Sequence, residues 1–227
     1  MSIIRINTYD DHRFSQEALN QHGCYLANGD APIEIKIISQ SEAIIIGDKT
    51  YFDEVIDEFR FNAEHITKFY DDSGKIVKKF KDLELFKLDI DKIQPIQFFV
   101  DIDKLEAVKT FVTREEDVII PVAKRDDIYV SLDGHTRLYL AYTLGFKHVY
   151  AYFSEDFDGF DYFFDEARKR NIYTAKDLIL LEHEDYIEKW DKFCDEYYMT
   201  REWVGRGDWY DEIIFWLKYI GDEIWKF

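Results

Sequence analysis

The sequence predicts an α+β protein in three consecutive parts: an N-terminal layer of β-hairpin and helix, a mixed core, and a C-terminal helical extension. Short runs in which apolar and polar residues alternate are typical of half-buried strands, whereas apolar residues at spacings of three and four indicate amphipathic helices. Aromatic residues make up 18% of the chain, which supplies enough apolar surface for a core. We place the three parts at 1–85, 86–153 and 154–227 and expect one compact unit.

The N-terminal part begins with a hairpin. Alternation over 32–38, a polar turn at 39–42 and an apolar return at 43–47 predict two antiparallel strands. Apolar residues at helical spacing over 51–69 predict a helix that packs one face on this hairpin. His12, His22 and His65 each lack a second histidine at helical spacing, so we interpret them as ordinary surface or core residues rather than metal ligands.

The run 128–141 is the segment most typical of a functional site. Tyr129 and Val130 predict a strand, Asp133 and Gly134 a tight turn, and the apolar residues that follow predict a helix. A helix N-terminus carries unpaired N–H groups and the positive end of the helix dipole, so it attracts anions. This order of strand, turn and helix therefore predicts a small phosphate site.

Each residue of the turn has a predicted role. Gly134 lets a ligand approach the backbone, His135 and Thr136 offer hydrogen-bond donors, and Arg137 supplies a planar cation that matches phosphate. Asp133 would orient the turn or a metal. The pattern alone leaves an alternative equally open, in which Asp133 or Thr136 caps the helix and Arg137 pairs with a carboxylate.

Residues 86–153, roughly a third of the chain, resemble the core of the ParB/sulfiredoxin superfamily. The resemblance rests on the order of a strand at 88–95, a helix at 103–111, strands at 118–122 and 128–132, the turn at 133–137 and a closing strand at 148–153. In this superfamily a Gly-x-x-Arg or Gly-His-x-Arg element holds nucleotide phosphates. The resemblance thus implies that ATP or another nucleotide, with Mg²⁺, binds at Gly134, His135, Thr136 and Arg137.

Departures from the superfamily narrow the activities that the resemblance implies. The turn lacks the reactive cysteine of sulfiredoxins, and 94–97 lacks the catalytic glutamate of the related free-serine kinases. The Glu-Arg-Arg-type box and the basic helix-turn-helix region of ParB proteins are not visible either, which disfavours chromosome partition. Asp101 and Asp103 are the candidate catalytic carboxylates in place of the missing glutamate.

The charge balance limits the partners that the protein can bind. With 47 acidic residues against 29 basic ones and a formal charge of -18, binding to DNA is disfavoured. A nucleotide needs only one local positive pocket, which Arg137 would form with the help of Arg114, Lys124 and Arg125. No apolar run approaches the roughly 20 residues that cross a bilayer, so we expect a cytoplasmic protein without a membrane partner. Cys24 and Cys194 have no C-x-x-C neighbour and are expected to be reduced thiols.

The C-terminal part is predicted to be helical. The run 155–166 mixes carboxylates with aromatic residues, and it either holds a divalent metal beside the phosphate site or, as its spacing favours, starts a solvated helix. Thr174 is a candidate N-cap, and 184–197 predicts a further helix. The amphipathic stretch 209–220 would pack on the core or form a homodimer.

The resemblance therefore implies a nucleotide-phosphate-binding protein of this superfamily. It leaves open whether the protein is an enzyme; if it is, phosphoryl transfer to a small molecule or nucleotide hydrolysis is the expected activity. The alternative is a non-catalytic acidic interaction module that uses the same fold and binds a basic partner.

Overall fold

The structure is a computed structural model that describes residues 2–155, 157 and 159–202, and for 200–202 the backbone alone. The chain is an α+β protein that divides into two units, 1–180 and 181–227. The first unit begins with a six-stranded sheet and two helices: β1 (Ile3–Arg5), α1 (Gln16–Asn20), β2 (Cys24–Ala27), β3 (Ala31–Ile37), β4 (Glu42–Ile46), α2 (Phe52–Asn62), β5 (Lys68–Tyr70) and β6 (Ile76–Lys79).

The predicted N-terminal hairpin is confirmed. β3 and β4 pair antiparallel, with Glu34 opposite Ile46 and Ile37 opposite Ala43. The inward residues of the hairpin and the apolar face of α2 form one core cluster. Burial of that face stabilises the helix, as the spacing of its apolar residues predicts.

The predicted helix over 51–69 is wrong in its second half. α2 ends at Asn62, and Ala63 leaves helical geometry with φ -141° and ψ 51°. Ile66 and Phe69 nevertheless lie in the same core cluster as the helix. Both residues are apolar because they are buried in this cluster, and their spacing continues the helical pattern although the chain is no longer helical there.

The second part of the first unit contains a five-stranded sheet, a two-stranded sheet and three helices. Its elements are β7 (Phe86–Asp89), β8 (Ile93–Pro95), β9 (Phe99–Asp101), α3 (Ile102–Lys109), β10 (Ile119–Arg125), β11 (Ile128–Ser131), α4 (His135–Thr143), β12 (His148–Phe153), α5 (Phe160–Lys169) and β13 (Ile179–Leu181). The five-stranded sheet has the order β7-β12-β10-β11-β8.

The strand predicted at 88–95 is wrong as one element, because it forms two strands at opposite edges of the sheet. β7 pairs antiparallel with β12, whereas β8 pairs parallel with β11. Asp89 ends the first strand and caps the turn Ile90–Lys92 by accepting the N–H of Asp91. Only this short turn separates the two edges, so the sheet must curl to bring them together. The rings of Phe86 and Tyr129, from β7 and β11, lie 6.0 Å apart across the curl.

Two segments of the first unit share a local structure that was not predicted from the sequence. Asp117 accepts the backbone N–H groups of Thr113 and Arg114 in a capping box. Asp177 accepts those of Tyr173 and Thr174 in the same way. Each box follows a helix and leads into a strand, so the helix–turn–strand unit occurs twice. The sequence signal is an aspartate followed by apolar residues, at 117–120 and 177–180.

Thr174 is confirmed as an N-cap, although the helix that it caps is a short 3-10 turn, Ala175–Asp177. The second unit is helical over its described residues: α6 (His183–Tyr186), a π-helical turn (Ile187–Asp191) and α7 (Lys192–Glu202). The predicted helix at 209–220 lies outside the described residues. In the described part of the chain, no helix combines the length and the apolar character that a bilayer crossing requires.

Candidate functional site

The candidate phosphate site lies where β11 passes into α4. Leu132 donates its backbone N–H to the carbonyl of Pro121 at 3.0 Å, which anchors the end of β11 to β10. Gly134 then adopts a left-handed conformation, with φ 78° and ψ 23°, and is the N-cap of α4. No side chain caps this helix. Its first backbone N–H groups can therefore bind an anion, as helix N-termini commonly do.

Position 134 requires glycine for two reasons. Its left-handed conformation is costly for residues with a Cβ. A Cβ would also lie 2.8 Å from Cδ1 of Ile120 and 3.0 Å from a guanidinium nitrogen of Arg137. The Arg137 guanidinium thus lies directly against the turn, where a ligand bound at the N-terminus of α4 would meet its charge.

Arg137 is mostly buried, whereas Asp133 is not. An Arg137 guanidinium nitrogen lies 3.4 Å from Oδ2 of Asp133, and 19% of the arginine side chain is exposed against 57% of the aspartate. Desolvation raises the pKa of Asp133, but the Arg137 cation and the N–H of Gly134 outweigh it and keep the pKa below its usual range. Asp133 is therefore ionised at neutral pH and partly balances the charge of Arg137.

His135 links α4 to the strands beside it. Its Nε2 accepts the backbone N–H of Ile96 at 3.3 Å, and its ring also bonds to the backbone of Ser131. Burial lowers the pKa of His135 to about 4, with a smaller contribution from the Arg137 cation. The ring is thus neutral, and both of its nitrogens have backbone partners. Thr136, the next residue, is half-buried.

Two histidines of the N-terminal part also lie in the electrostatic environment of this turn. Asp133 and Arg137 act on both His22 and His65, and burial lowers the pKa of each histidine to about 3. His22 lies between α1 and β2, and His65 lies between α2 and β5. Nothing in their spacing along the chain connects them to 133–137, so the sequence predicts only ordinary surface or core histidines at these positions.

The predicted catalytic carboxylates lie at the start of α3. Asp101 is 1% exposed and caps the helix by accepting the N–H of Asp103 at 2.9 Å, while Asp103 is exposed. Burial raises the pKa of Tyr9, and the charges of both aspartates add to the shift. The Tyr9 hydroxyl lies 2.9 Å from Nε2 of His22. Tyr9 therefore lies in the electrostatic environment of the two aspartates, and His22 lies in that of the turn at 133–137.

A groove beside Asp103 has the wrong charge for a phosphate. It has a volume of about 310 Å³ and is lined by Tyr9, Asn20, Asp103, Glu106, Ala107 and Thr110. Both ionisable carboxylates in this lining repel anions, and no lysine or arginine lies among the lining residues. An anion is therefore better placed at the start of α4 than in this groove.

The three further cations expected near the phosphate are engaged elsewhere or exposed. Arg114 pairs with Asp117 at 3.1 Å. Arg125 pairs with Asp161 at 2.5 Å, and its guanidinium carbon lies 4.1 Å from the ring centroid of Phe164. Lys124 is exposed on β10. Arg137 is thus the cation that the structure places against the turn at 134.

Comparisons with known proteins give little further information. Neither a protein-family model nor a curated protein matches the chain. Among solved structures, the crystal structure of protein Atu1540 from Agrobacterium tumefaciens is similar at 21% identity and a TM-score of 0.32. The match covers 46% of this chain and 64% of that one, which is less than two thirds of its length. A likeness of this size establishes neither a fold nor a function.

Proposed function

We propose that this chain is a nucleotide-binding protein with a ParB/sulfiredoxin-like core, and that it holds nucleotide phosphates at the start of α4. One observation carries the proposal: the uncapped helix N-terminus follows a left-handed glycine, and the Arg137 guanidinium lies against that glycine. Backbone N–H groups at a helix N-terminus and an arginine fork both match the charge and geometry of phosphate.

Some residues of the turn would contact the phosphate, and others would hold the turn in place. The N–H groups at the start of α4, the hydroxyl of Thr136 and the Arg137 guanidinium would contact phosphate oxygens, with Gly134 allowing close approach. His135 would act by holding the turn in place, since Ile96 and the backbone of Ser131 already occupy its ring nitrogens. A direct contact of His135 with phosphate would need one of these bonds to break.

Phosphoryl transfer to a small molecule is the activity that we propose for this site. Of the two candidate carboxylates, Asp103 is the better placed to contact a substrate, because it is exposed and lines a groove. Asp101 has the structural task of capping α3. Mg²⁺ prefers oxygen ligands and would accompany the nucleotide, with the exposed carboxylate of Asp133 as the protein ligand.

The remaining expectations are also proposals. We propose a cytoplasmic location, with which the buried free thiol of Cys24 agrees. We propose no role in DNA binding, because the net charge is -18. A homodimer through the C-terminal helices would involve 209–220, which lies outside the described residues.

The test is nucleotide binding by the full chain and by a charge-removing variant. ATP, ADP, CTP and GTP, each with and without Mg²⁺, are added to the wild type in a thermal-shift assay, and the dissociation constant of a stabilising nucleotide is measured by calorimetry. Arg137→Ala should weaken binding by about 10- to 100-fold, since hydrogen bonds to charged groups contribute about 1.5–3 kcal/mol. Arg13→Ala is the control, because Arg13 pairs with a nearby carboxylate, Asp11, at 2.6 Å on the surface.

Two results would contradict the proposal. The first is the absence of a stability change with any of the four nucleotides at millimolar concentration. The second is binding that Arg137→Ala and Arg13→Ala weaken equally. Either result would favour the alternative of an acidic interaction module. One observation supports that alternative, namely the aromatic cluster of Phe86, Tyr129 and Phe153, in which Phe153 is 57% exposed.

A further inference from the structure

His65 is a buried polar side chain with an unused hydrogen-bonding atom. The residue is 5% exposed, and its Nδ1 has no hydrogen-bond partner among the described residues. A buried polar atom left without a partner costs about 1–3 kcal/mol. Most buried polar atoms in proteins are partnered, so an exception indicates strain, an unseen water or a ligand.

The contacts of His65 connect it to the strands that lead into the candidate phosphate site. Its ring centroid lies 5.9 Å from that of Tyr152 on β12. Tyr152 is opposite Pro121 on β10, and the Pro121 carbonyl accepts the N–H of Leu132, immediately before the turn. A continuous path of ring contact, strand pairing and hydrogen bond thus connects His65 to 133–137.

The charges around His65 keep its ring neutral. The pKa of His65 is lowered to about 3, mainly by burial and also by the cations Arg137 and Arg60, whereas Asp133 acts in the opposite direction. Tyr152 experiences the same charges and that of Glu64. A neutral imidazole carries one N–H and one acceptor nitrogen, and in one tautomer Nδ1 is the donor. Such a ring can donate a hydrogen bond to an anion at neutral pH without first taking up a proton.

We propose that His65, from the N-terminal sheet region, donates its Nδ1–H to an oxygen of the phosphate group bound at the start of α4. This inference rests on the proposed function and extends it. The phosphate site would then be built from two parts of the first unit: the turn at 133–137 supplies the N–H groups and the cation, and His65 supplies a neutral donor. The N-terminal sheet region would be part of the binding site rather than a separate module.

The test compares two substitutions at 65 in the full chain. His65→Leu removes the donor and fills the space with apolar atoms, whereas His65→Asn keeps an N–H donor near the position of Nδ1. Binding of ATP and of inorganic pyrophosphate, with Mg²⁺, is measured by calorimetry, and the melting temperature is measured without ligand. His12→Leu is the control, because His12 is an exposed histidine of the same region.

We expect His65→Leu to bind both probes at least tenfold more weakly than the wild type, with an unliganded melting temperature equal to or above that of the wild type. The melting temperature should not fall, because the substitution removes an unpartnered buried polar atom. His65→Asn should recover most of the affinity, and His12→Leu should leave affinity unchanged. His65→Asn also serves the test if His65→Leu does not fold.

The outcomes separate this inference from the proposed function. If the wild type binds the probes, Arg137→Ala weakens binding and His65→Leu does not, the role of His65 is refuted and the phosphate site stands. If both substitutions at 65 weaken binding equally and lower the melting temperature, His65 acts through packing and the inference is refuted as well. If the wild type binds neither probe, the proposed function fails, and the inference fails with it.

Discussion

The requirement for glycine at 134 can be tested against a matched position at the other end of the same helix. Gly134 and Gly145 flank α4 with nearly equal left-handed conformations, at φ +78° and φ +76°. They differ in the space for a Cβ. At Gly145 nothing lies within 4 Å, whereas at Gly134 the Cδ1 of Ile120 lies at 2.8 Å and a guanidinium nitrogen of Arg137 at 3.0 Å. Alanine at each position therefore separates backbone strain from steric conflict.

The expected costs follow from these contacts. Left-handed backbone costs an L-residue about 1–2 kcal/mol, which is the whole effect expected of Gly145→Ala. At Gly134 the same strain applies, and the new methyl also has to displace Ile120 or Arg137. Ile120 is fully buried, and overpacking of this kind costs about 1–3 kcal/mol. Gly134→Ala should thus destabilise the protein by about 2–5 kcal/mol in total.

Urea unfolding of the wild type and both variants measures the two costs. Because the methyl at 134 pushes on the Arg137 guanidinium, Gly134→Ala should also weaken nucleotide binding, and Gly145→Ala should leave it intact. Equal destabilisation by the two variants, within about 0.5 kcal/mol, would refute the reasoning. It would mean that the side chains around Gly134 move aside at no cost and that the arginine is not held against the turn.

Two other substitutions test local structure, one at Glu115 and one at His135 in the candidate site. Glu115 accepts from Lys87 and from the backbone of Lys147 and His148, which lowers its pKa from 4.5 to about 2. The stability that it contributes is present above about pH 4.5 and is lost as the pH falls towards 2, so Glu115→Gln should remove that part of the pH dependence in urea unfolding. His135→Leu leaves the N–H of Ile96 without its partner and should lower the free energy of unfolding by about 1–3 kcal/mol.

Each of these expectations has a clear contradiction. If Glu115→Gln loses stability with falling pH as steeply as the wild type, protonation of the Glu115 carboxylate is not coupled to unfolding. His12→Leu is the control, because a substitution at an exposed position should change stability by no more than about 0.5 kcal/mol. If His135→Leu is as stable as this control, the hydrogen bond of His135 does not stabilise the turn.

Local patterns predicted much of the local structure. The hairpin of β3 and β4, the closing strand His148–Phe153 and the helix start at His135 are all present. Each depends on residues close together in sequence: alternation in the strands, and a glycine turn before the helix. The identity of Gly134 as a position of left-handed backbone also follows from its place between strand and helix.

The errors arise where distant residues decide the structure. Apolar residues recur throughout 88–95, yet the aspartate-capped turn Ile90–Lys92 sends β7 and β8 to opposite edges of the sheet. In the same way, the burial of Ile66 and Phe69 imitated a longer helix. Partners that lie far away in sequence determine strand order, and a pattern within one segment contains no information about them.

The candidate site shows the same division. The turn at 133–137 was visible in the sequence as one continuous motif. His22 and His65 were not, because only the folded N-terminal sheet region brings them towards the turn, as the charges that act on them indicate. His135 was visible, but not its hydrogen bond with the backbone of Ile96, which approaches it from the segment after β8. Motifs identify contiguous binding elements, and the residues that complete them come from the tertiary structure.

The curled sheet has a consequence for how the chain reaches its fold during synthesis. β7 is made early, but its ladder partner β12 is the last strand of the sheet to leave the ribosome. Until then the backbone of β7 has no strand to pair with. β10 and β11, by contrast, can pair as a tight hairpin as soon as they emerge. Unpaired strand edges promote association between nascent chains. A pause in translation before 148 would prolong that exposure, and chains halted there should aggregate more than chains halted after β12 has left the exit tunnel.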